Sequence, residues 1–461
     1  MVKVLPKEGF DCKKCIIIGV ILIIAVSSGL FLPLKGLDFN SRISLMIFLL
    51  AAGFWITEVV RPYATAFLVI ALHVFIFGSR WMDIDLGDAG YRVFLYPIAS
   101  PVLVLFFGGF ILAGAAKKHN LDVRLAKNIL KPFGKKPKYV LLGIILTTAV
   151  FSMFMSNTAT TAMMIAIFGP LFHEKSGRSV FRKALVLAIP FAANIGGMGT
   201  IIGTPPNAVA ASYLAEEMDI QIHFLNWMIL GIPIVAIMVF VIWGVLLFYF
   251  KPKTEEIEVD FGEIRPINRS MIIVMVTFAI TVLLWMTETL HGISSGVVAL
   301  FPVVVFKLSG VMDEEDLKNV GWDVLILMAG GLVLGTGMKI TGLTDVLVAN
   351  ISAVFHSPFL ILGIMIAFSY IIANFMSHTS AANLIIPIVA SIAAINPKMG
   401  VVAVALTTSL SQSLPISTPP NAIAYSTRVI KTKELAIYGT LISVIGLVVM
   451  LILFSVLKGY I

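Results

Sequence analysis

Apolar residues in this chain are gathered into blocks of roughly 17–25 residues, the length at which a helix crosses the hydrocarbon core of a bilayer. Backbone N–H and C=O groups at that depth find no water, so each block must form a helix that satisfies them internally. Of the 461 residues, 59% are hydrophobic and 13% charged, against about 25% charged in an average soluble domain. That is too little charge to cover two or three soluble domains. Soluble enzymes, nucleic-acid binders and disulfide scaffolds are therefore excluded. The net charge of +8 sits in the loops that the positive-inside rule assigns to the cytoplasm. Cys12 and Cys15 form a lone C-x-x-C, with no nearby Cys or His pair to complete a zinc site, and read as juxtamembrane thiols. Lys3, Lys7, Lys13 and Lys14 precede an apolar run with no A-x-A-like cleavage site, so that run reads as a retained first helix.

Blocks that fit full crossings lie near 15–33, 43–61, 62–78, 94–116, 183–213, 225–250, 270–289, 293–308, 322–341, 399–426 and 436–458, eleven in all. Two longer blocks, 138–173 and 358–395, each hold two short apolar runs joined by a polar centre. The centres are Ser156-Asn157-Thr158 and Ser377-His378-Thr379. Both blocks read as re-entrant hairpins that enter and leave on one side. Charge agrees with this count. With the N-terminus in the cytoplasm, four crossings lead to Lys117, Lys118, Arg124, Lys127, Lys131, Lys135, Lys136 and Lys138. A hairpin returns the chain to the same side, where Lys175, Arg178, Arg182 and Lys183 follow. One further crossing reaches the acidic Glu216, Glu217 and Asp219, and Arg428, Lys431 and Lys433 fall inside again. The C-terminus is then expected outside, in the cell membrane. Asn120 to Lys131 mixes apolar and basic residues and reads as an interfacial helix on the cytoplasmic face.

The two halves echo each other. Trp55-Ile56-Thr57-Glu58 matches Trp285-Met286-Thr287-Glu288, and Gly108-Gly109 matches Gly330-Gly331. Ser156-Asn157-Thr158 matches Ser377-His378-Thr379, and Thr204-Pro205-Pro206-Asn207-Ala208 matches Thr418-Pro419-Pro420-Asn421-Ala422. The offsets are 230, 222, 221 and 214, in the same order along the chain. Five crossings separate equivalent points, an odd number, so the second copy is inverted. The expected fold class is thus an all-α polytopic membrane protein, with eleven transmembrane helices plus two re-entrant hairpins in an inverted-topology repeat. That pattern is the one most associated with secondary transporters.

Polar backbone at membrane depth survives only where it lines a cavity or is buried in protein. Pro205-Pro206 and Pro419-Pro420 break their helices, because proline removes a ladder donor. A broken helix exposes N–H groups and a positive dipole end, a ready site for a carboxylate or other anion. Ser and Thr cap such ends, while Asn offers both donor and acceptor. The freed carbonyls, with Ser and Asn oxygens, suit a small hard cation. Hairpin tips and breaks from both halves would therefore hold an anion and a coupling ion together. A single such motif would ordinarily be an inter-helix hydrogen bond or a kink; matched pairs in an inverted repeat favour function. Glu58 and Glu288 sit at span ends and read as interfacial. His173, His291 and His356 read as loop or boundary residues and His119 as part of the basic loop.

The paired S-N-T-type tips and paired T-P-P-N-A breaks, spread from Trp55 through Ala422, resemble the divalent anion/sodium symporter family (DASS, INDY-type). The resemblance implies a homodimer, each protomer having a dimer-forming scaffold and a transport part that moves like an elevator. It implies C4 dicarboxylates as usual substrates, with citrate, 2-oxoglutarate or sulfate in some branches. It assigns a first sodium site to Ser152, Ser156, Asn157 and Gly203. It assigns substrate carboxylates to Asn157, Thr158, Thr204, Thr379, Thr418 and Pro419, with His378 beside them. The second sodium site departs from the pattern. His378 stands where the symporters have Asn, and Ala373 where they have Thr, leaving carbonyls near Met376 and Ser417. A protonated His378 would put charge where a sodium ion would sit and favour exchange; a titrating one would couple a proton; otherwise the first site alone suffices.

The expectation is a secondary active di/tricarboxylate transporter, sodium-coupled through one intact site, with sodium-independent exchange or sulfate or citrate transport as alternatives. Residues 1–131 would carry first-repeat scaffold helices and the interfacial helix, and 132–222 the first transport part. Scaffold and linker would follow over 223–357, the second transport part over 358–430, and the last helix over 431–461. A membrane enzyme would need a nucleophile–base pair or metal cluster, and neither H-E-x-x-H nor G-x-S-x-G occurs. No catalytic residue and no organic cofactor is expected; the partners are the anion, sodium and the bilayer, without nucleic acid. A channel has no need of two broken halves around one closed site.

Overall fold

The computed structural model describes residues 12–79, 82, 84–172, 180–253, 256–257, 259, 266–355, 357–392 and 396–456. Lys3, Lys7, His173, Lys175, Arg178 and His356 lie outside the described residues, as does the side chain of Cys12. All regular structure among the described residues is helical. Seven helices are long and apolar enough to cross a bilayer: Lys13–Phe31, Phe39–Thr57, Tyr96–Lys118, Phe224–Tyr249, Arg269–Met286, Glu314–Ile340 and Thr432–Ser455. An eighth is reached if the bent pair Leu343–Val354 and Phe359–Ala373 is one span.

These seven match seven of the eleven expected crossings. Of the other four expected segments, two are short helices and two are broken. Segment 62–78 is the helix Pro62–Phe77, α-helical over Pro62–Leu72 and π-helical over His73–Phe77. Segment 293–308 is the helix Ser295–Leu308, too short to span by length alone. Segment 183–213 divides into Phe181–Gly196 and Pro205–Glu217. Segment 399–426 divides into Pro397–Leu410 and Pro419–Ser426. Sequence hydropathy integrates over such breaks, whereas length is counted on unbroken helix.

The expected hairpins are two helical pairs, Pro137–Ser152 with Asn157–Phe168 and Pro358–Ala373 with His378–Ala390. The expected interfacial helix runs Leu121–Leu130, burying Leu121, Asp122, Ala126 and Leu130 and exposing Leu125 and Lys127. The repeated sequence anchors also make repeated contacts. Trp55 Nε1 donates to the Pro62 carbonyl at 3.1 Å and Trp285 Nε1 to the Ser295 carbonyl at 3.0 Å. Both indoles close the turn out of their helix and are fully buried. Thr57 and Thr287 each return a hydroxyl to the carbonyl four residues back, at 2.7 and 2.8 Å. Glu58 and Glu288 stand at helix boundaries, the first in a left-handed C-cap.

The Gly-Gly anchors bring helices into close approach. A Cβ on Gly108 would lie 2.5 Å from the Ala299 carbonyl oxygen, and one on Gly330 would lie 2.4 Å from Ala66 Cβ. Pro101–Lys118 thus lies against the 295–308 segment, and Trp322–Ile340 against Pro62–Leu72. Each close approach pairs a glycine helix of one half with a short helix of the other. Small residues permit this in membranes, where apolar surface alone gives helices no reason to associate. Gly108→Val and Gly330→Val are each expected to lower stability by about 1–3 kcal/mol through overpacking. Thermal unfolding in detergent reads this, and an unchanged midpoint would mean the helix pair does not depend on close approach.

Candidate functional site

The two tips share one backbone geometry. Ser156 caps Asn157–Phe168 with φ −59° and ψ 141°, its hydroxyl accepting from Ala159 N at 3.2 Å. Ser377 caps His378–Ala390 with φ −60° and ψ 141°, accepting from Ser380 N at 3.1 Å. The breaks behave alike. Thr418 caps Pro419–Ser426 by accepting from Asn421 N at 3.0 Å, and Thr204 stands in extended conformation before Pro205–Glu217. Four helix N-termini, each a positive dipole end, meet at one cavity of about 870 Å³; the two break helices begin with proline pairs, which carry no N–H.

That cavity is lined by Ser156, Asn157, Thr158, Gly203, Thr204, His378, Thr379, Ser417, Thr418 and Pro419. Every residue expected to hold the anion is therefore brought to one place. Ser152, Ala373 and Met376 do not line it; they are buried behind the tips, at most 1% exposed. At one end the cavity reaches Lys117, Lys118, Asp316 and Asn319. There Lys118 Nζ lies 2.9 Å from Asp313 Oδ2 and 2.5 Å from Asp316 Oδ2. The Lys118 ammonium holds the Asp313 carboxyl down at about 2.

Behind the first tip, oxygens crowd together. The Asn157 amide oxygen stands 2.7 Å from Ser152 Oγ, 3.1 Å from the Gly203 carbonyl oxygen and 3.2 Å from the Ala193 carbonyl oxygen. Ser152 Oγ also lies 2.7 Å from the Ala193 carbonyl. Ser152 has one hydrogen and cannot serve both acceptors. Two arrangements relieve the crowding: the Asn157 amide turns to present its NH₂ to these acceptors, or a cation lies among the oxygens. Gly197 packs directly against the cluster. A Cβ there would meet Asn157 Oδ1 at 2.5 Å and the Gly203 carbonyl at 3.0 Å. All four groups are hard oxygen donors, the set that suits a hard cation.

The second tip is built differently. His378 Nε2 donates to the Ser411 carbonyl at 2.8 Å. Asn374 Oδ1 accepts from Ser413 N at 2.9 Å, and Asn374 Nδ2 donates to the Tyr370 carbonyl at 2.8 Å. Ser417 turns its hydroxyl to the Leu414 carbonyl at 2.7 Å. Ala373 adds no oxygen. Donors therefore occupy the carbonyls at the second tip, whereas at the first tip the Asn157 amide and Ser152 hydroxyl converge on the Ala193 and Gly203 carbonyls.

The asparagines of the two breaks are braces. Asn207 Nδ2 donates to the Gly197 and Thr200 carbonyls at 3.0 and 2.8 Å. Asn421 Nδ2 donates to the Gln412 and Leu414 carbonyls, both at 2.9 Å. Each thus ties down the loop that unwinds before its own proline pair. Sequence reasoning offered these asparagines as donor and acceptor at a break, and it missed Ala193, Gly197 and Ser411 altogether. Carbonyl ligands have no residue signature; only Gly197, one residue inside a glycine-rich stretch, carried any signal.

The sequence profile of the family described as citrate transporter (CitMHS) matches residues 52–409 and 282–460. The chain belongs to that family. It is 31% identical over 451 residues to the sodium-dependent dicarboxylate transporter SdcS of Staphylococcus saprophyticus, covering 88% of this chain and 84% of the relative. The SdcS of Staphylococcus aureus is 29% identical, covering 95% and 90%. An uncharacterized transporter of Haemophilus influenzae is 32% identical, covering 89% and 90%. Among solved structures, the YdaH transporter of Alcanivorax borkumensis aligns with a TM-score of 0.61 at 14% identity, over 87% of this chain and 99% of that one. MtrF of Neisseria gonorrhoeae aligns at 0.56 and 13%, over 87% and 96%; these two likenesses concern the fold. The family member described here is a multi-pass membrane transporter and not an enzyme.

Removing a brace leaves two buried carbonyls unpaired. Asn207→Ala and Asn421→Ala are each expected to cost about 1–3 kcal/mol of stability, read as a lowered unfolding midpoint; no change for either would assign its loop another support.

Proposed function

We propose that this transporter carries C4 dicarboxylates such as succinate, malate or fumarate, coupled to sodium at one site. The relatives named sodium-dependent dicarboxylate transporters support the substrate class. The observation that carries the sodium reading is the convergence of the Asn157 amide and Ser152 hydroxyl on the Ala193 and Gly203 carbonyls, packed so closely against Gly197 that no Cβ fits there. Asn157 stands both in this cluster and in the cavity lining, so an ion there would bias the tip that meets the anion. Asn157, Thr158, Thr204, Thr379, Thr418 and Pro419 would hold the carboxylates through hydroxyls, amide and helix N-termini. No arginine lines the cavity among the described residues, and Lys117 and Lys118 stand at its end rather than at the tips, so recognition at the tips would rest on uncharged donors, which also suit citrate or sulfate.

At the second tip, His378 would replace the second ion. Its Nε2–H donates to the Ser411 carbonyl, closing one ligand of a second site whatever the ring's charge. This also favours a second reading, in which the carrier exchanges anions without sodium. In both readings the parts 132–222 and 358–430 would move against the scaffold in an elevator-like cycle. The inverted repeat of eleven crossings and two re-entrant hairpins, the homodimer, and a cytoplasmic N-terminus with an outer C-terminus belong to the same reading.

Uptake of radiolabelled succinate into proteoliposomes decides between them. Symport is expected to give uptake into empty vesicles that requires an inward sodium gradient. Uptake only into succinate-preloaded vesicles, indifferent to sodium, would establish exchange instead. No uptake under any condition would exclude succinate and turn the test to citrate, 2-oxoglutarate and sulfate. Gly197→Ala is expected to raise the sodium concentration for half-maximal uptake by about tenfold or more, since one factor of ten needs only about 1.4 kcal/mol. An unaltered sodium dependence in that variant would move the ion elsewhere. His378→Asn is expected to steepen the sodium dependence if it reopens a second site.

A further inference from the structure

Along Pro101–Lys118 and Trp322–Ile340, two of the scaffold helices it touches, the cavity reaches one end only. On Pro101–Lys118 it reaches Lys117 and Lys118, at the C-terminal end; on Trp322–Ile340 it reaches Asp323, at the N-terminal end. The opposite ends of the same helices are sealed against the second half of the first broken segment, Pro205–Glu217. An 18-residue helix is about 27 Å long, so mouth and seal are well separated. Ser100, capping the far end of Pro101–Lys118, lies 3.2 Å from Ser212, Oγ to Oγ, both buried. The Tyr213 ring fills the hollow at Gly335, where a Cβ would lie 2.6 Å from Tyr213 Cε2. Glu217 completes the seal. Its Oε1 accepts from Thr336 Oγ1 at 2.5 Å and its Oε2 lies 3.1 Å from Lys339 Nζ. Lys339 Nζ also donates to the Glu217 backbone carbonyl. The Glu217 side chain is only 12% exposed and that of Lys339 48%.

We propose that Glu217, clasped by Thr336 and Lys339, is a lock that holds the transporter closed at the end opposite the cavity mouth. This rests on reading the chain as an alternating-access carrier. For the cavity to open at the far end, Pro205–Glu217 must part from the scaffold helices, and the serine pair, the tyrosine and the carboxylate part with it. A largely buried carboxylate holds two donors on one neighbouring helix, so separation exposes charged groups that must be resolvated together. Glu217 touches neither the anion site nor the oxygen cluster. It is therefore a positioning residue for the cycle rather than part of the binding machinery. The lock would set how much of the population opens at the far end, independently of substrate affinity.

The test needs no substrate. In a background carrying Cys12→Ser and Cys15→Ser, Ser212→Cys places a thiol in the seal, and its reaction with a bulky water-soluble maleimide reports opening. The expected result is a labelling rate raised at least about tenfold, a shift of about 1.4 kcal/mol, by Glu217→Ala. Lys339→Ala, a change at a half-exposed side chain, should act in the same direction and covers the case in which Glu217→Ala does not fold. Glu217→Lys combined with Lys339→Glu should return the rate toward the starting value. Rates within about twofold of the background for both single variants, with monodisperse protein, would overturn the lock; so would a reversed pair as fast as the single variants. Failure of succinate transport would count against the proposed substrate alone, because labelling is read without any anion.

Discussion

The structure depends on one constraint: backbone N–H and C=O groups at membrane depth must find a partner inside the protein. Long helices satisfy it by their own ladders. The chain then breaks that rule at four places, the two tips and the two proline breaks, and each break is repaired. Ser156 and Ser377 cap the tips, Asn207 and Asn421 tie down the unwound carbonyls, and Trp227 Nε1 donates to the Met198 carbonyl at 3.0 Å. The same tips and breaks bring their capped helix ends to one cavity.

The two halves solve the same geometric problem with different chemistry. Their tips superpose in dihedral angles, their breaks are braced by the same residue type, and their tryptophans close the same turn. They differ at one position in each tip. Asn157 sets an amide among the Ser152, Ala193 and Gly203 oxygens, whereas His378 brings a ring N–H to the Ser411 carbonyl. Fold symmetry thus coexists with chemical asymmetry, because a hairpin tip needs only its serine cap and small turn, while the next residue is free to differ. Asn374, bonded to the Tyr370 carbonyl and to Ser413 N, ties the second tip to its neighbours.

Much of this was legible in the sequence because it is local. Hydropathy blocks mark helices, Pro-Pro marks breaks, and a serine before Asn-Thr or His-Thr marks a capped helix start. The four anchor pairs set the two halves side by side, and the residues expected to meet the anion, such as Thr158 and Thr379, do share a cavity. The span count was less secure. Windows of hydropathy run across the 197–204 and 411–418 loops, where the helices stop. An interrupted apolar segment and a continuous one have the same composition.

The sequence by itself determined that the chain is helical and membrane-embedded, where its helices break, and that it contains two related halves. Each of these follows from residue type and periodicity along a short stretch. Only the tertiary structure decided which carbonyls join Asn157, that Ser411 receives His378, that Ala66 and Ala299 meet the glycine helices, and that Glu217 reaches Thr336 and Lys339. Those pairings join residues from about 30 to more than 200 positions apart, and several use backbone oxygens that every residue carries. No residue pattern encodes such a partner; it is fixed when helices pack close enough for one set of polar groups to meet and all others to be excluded.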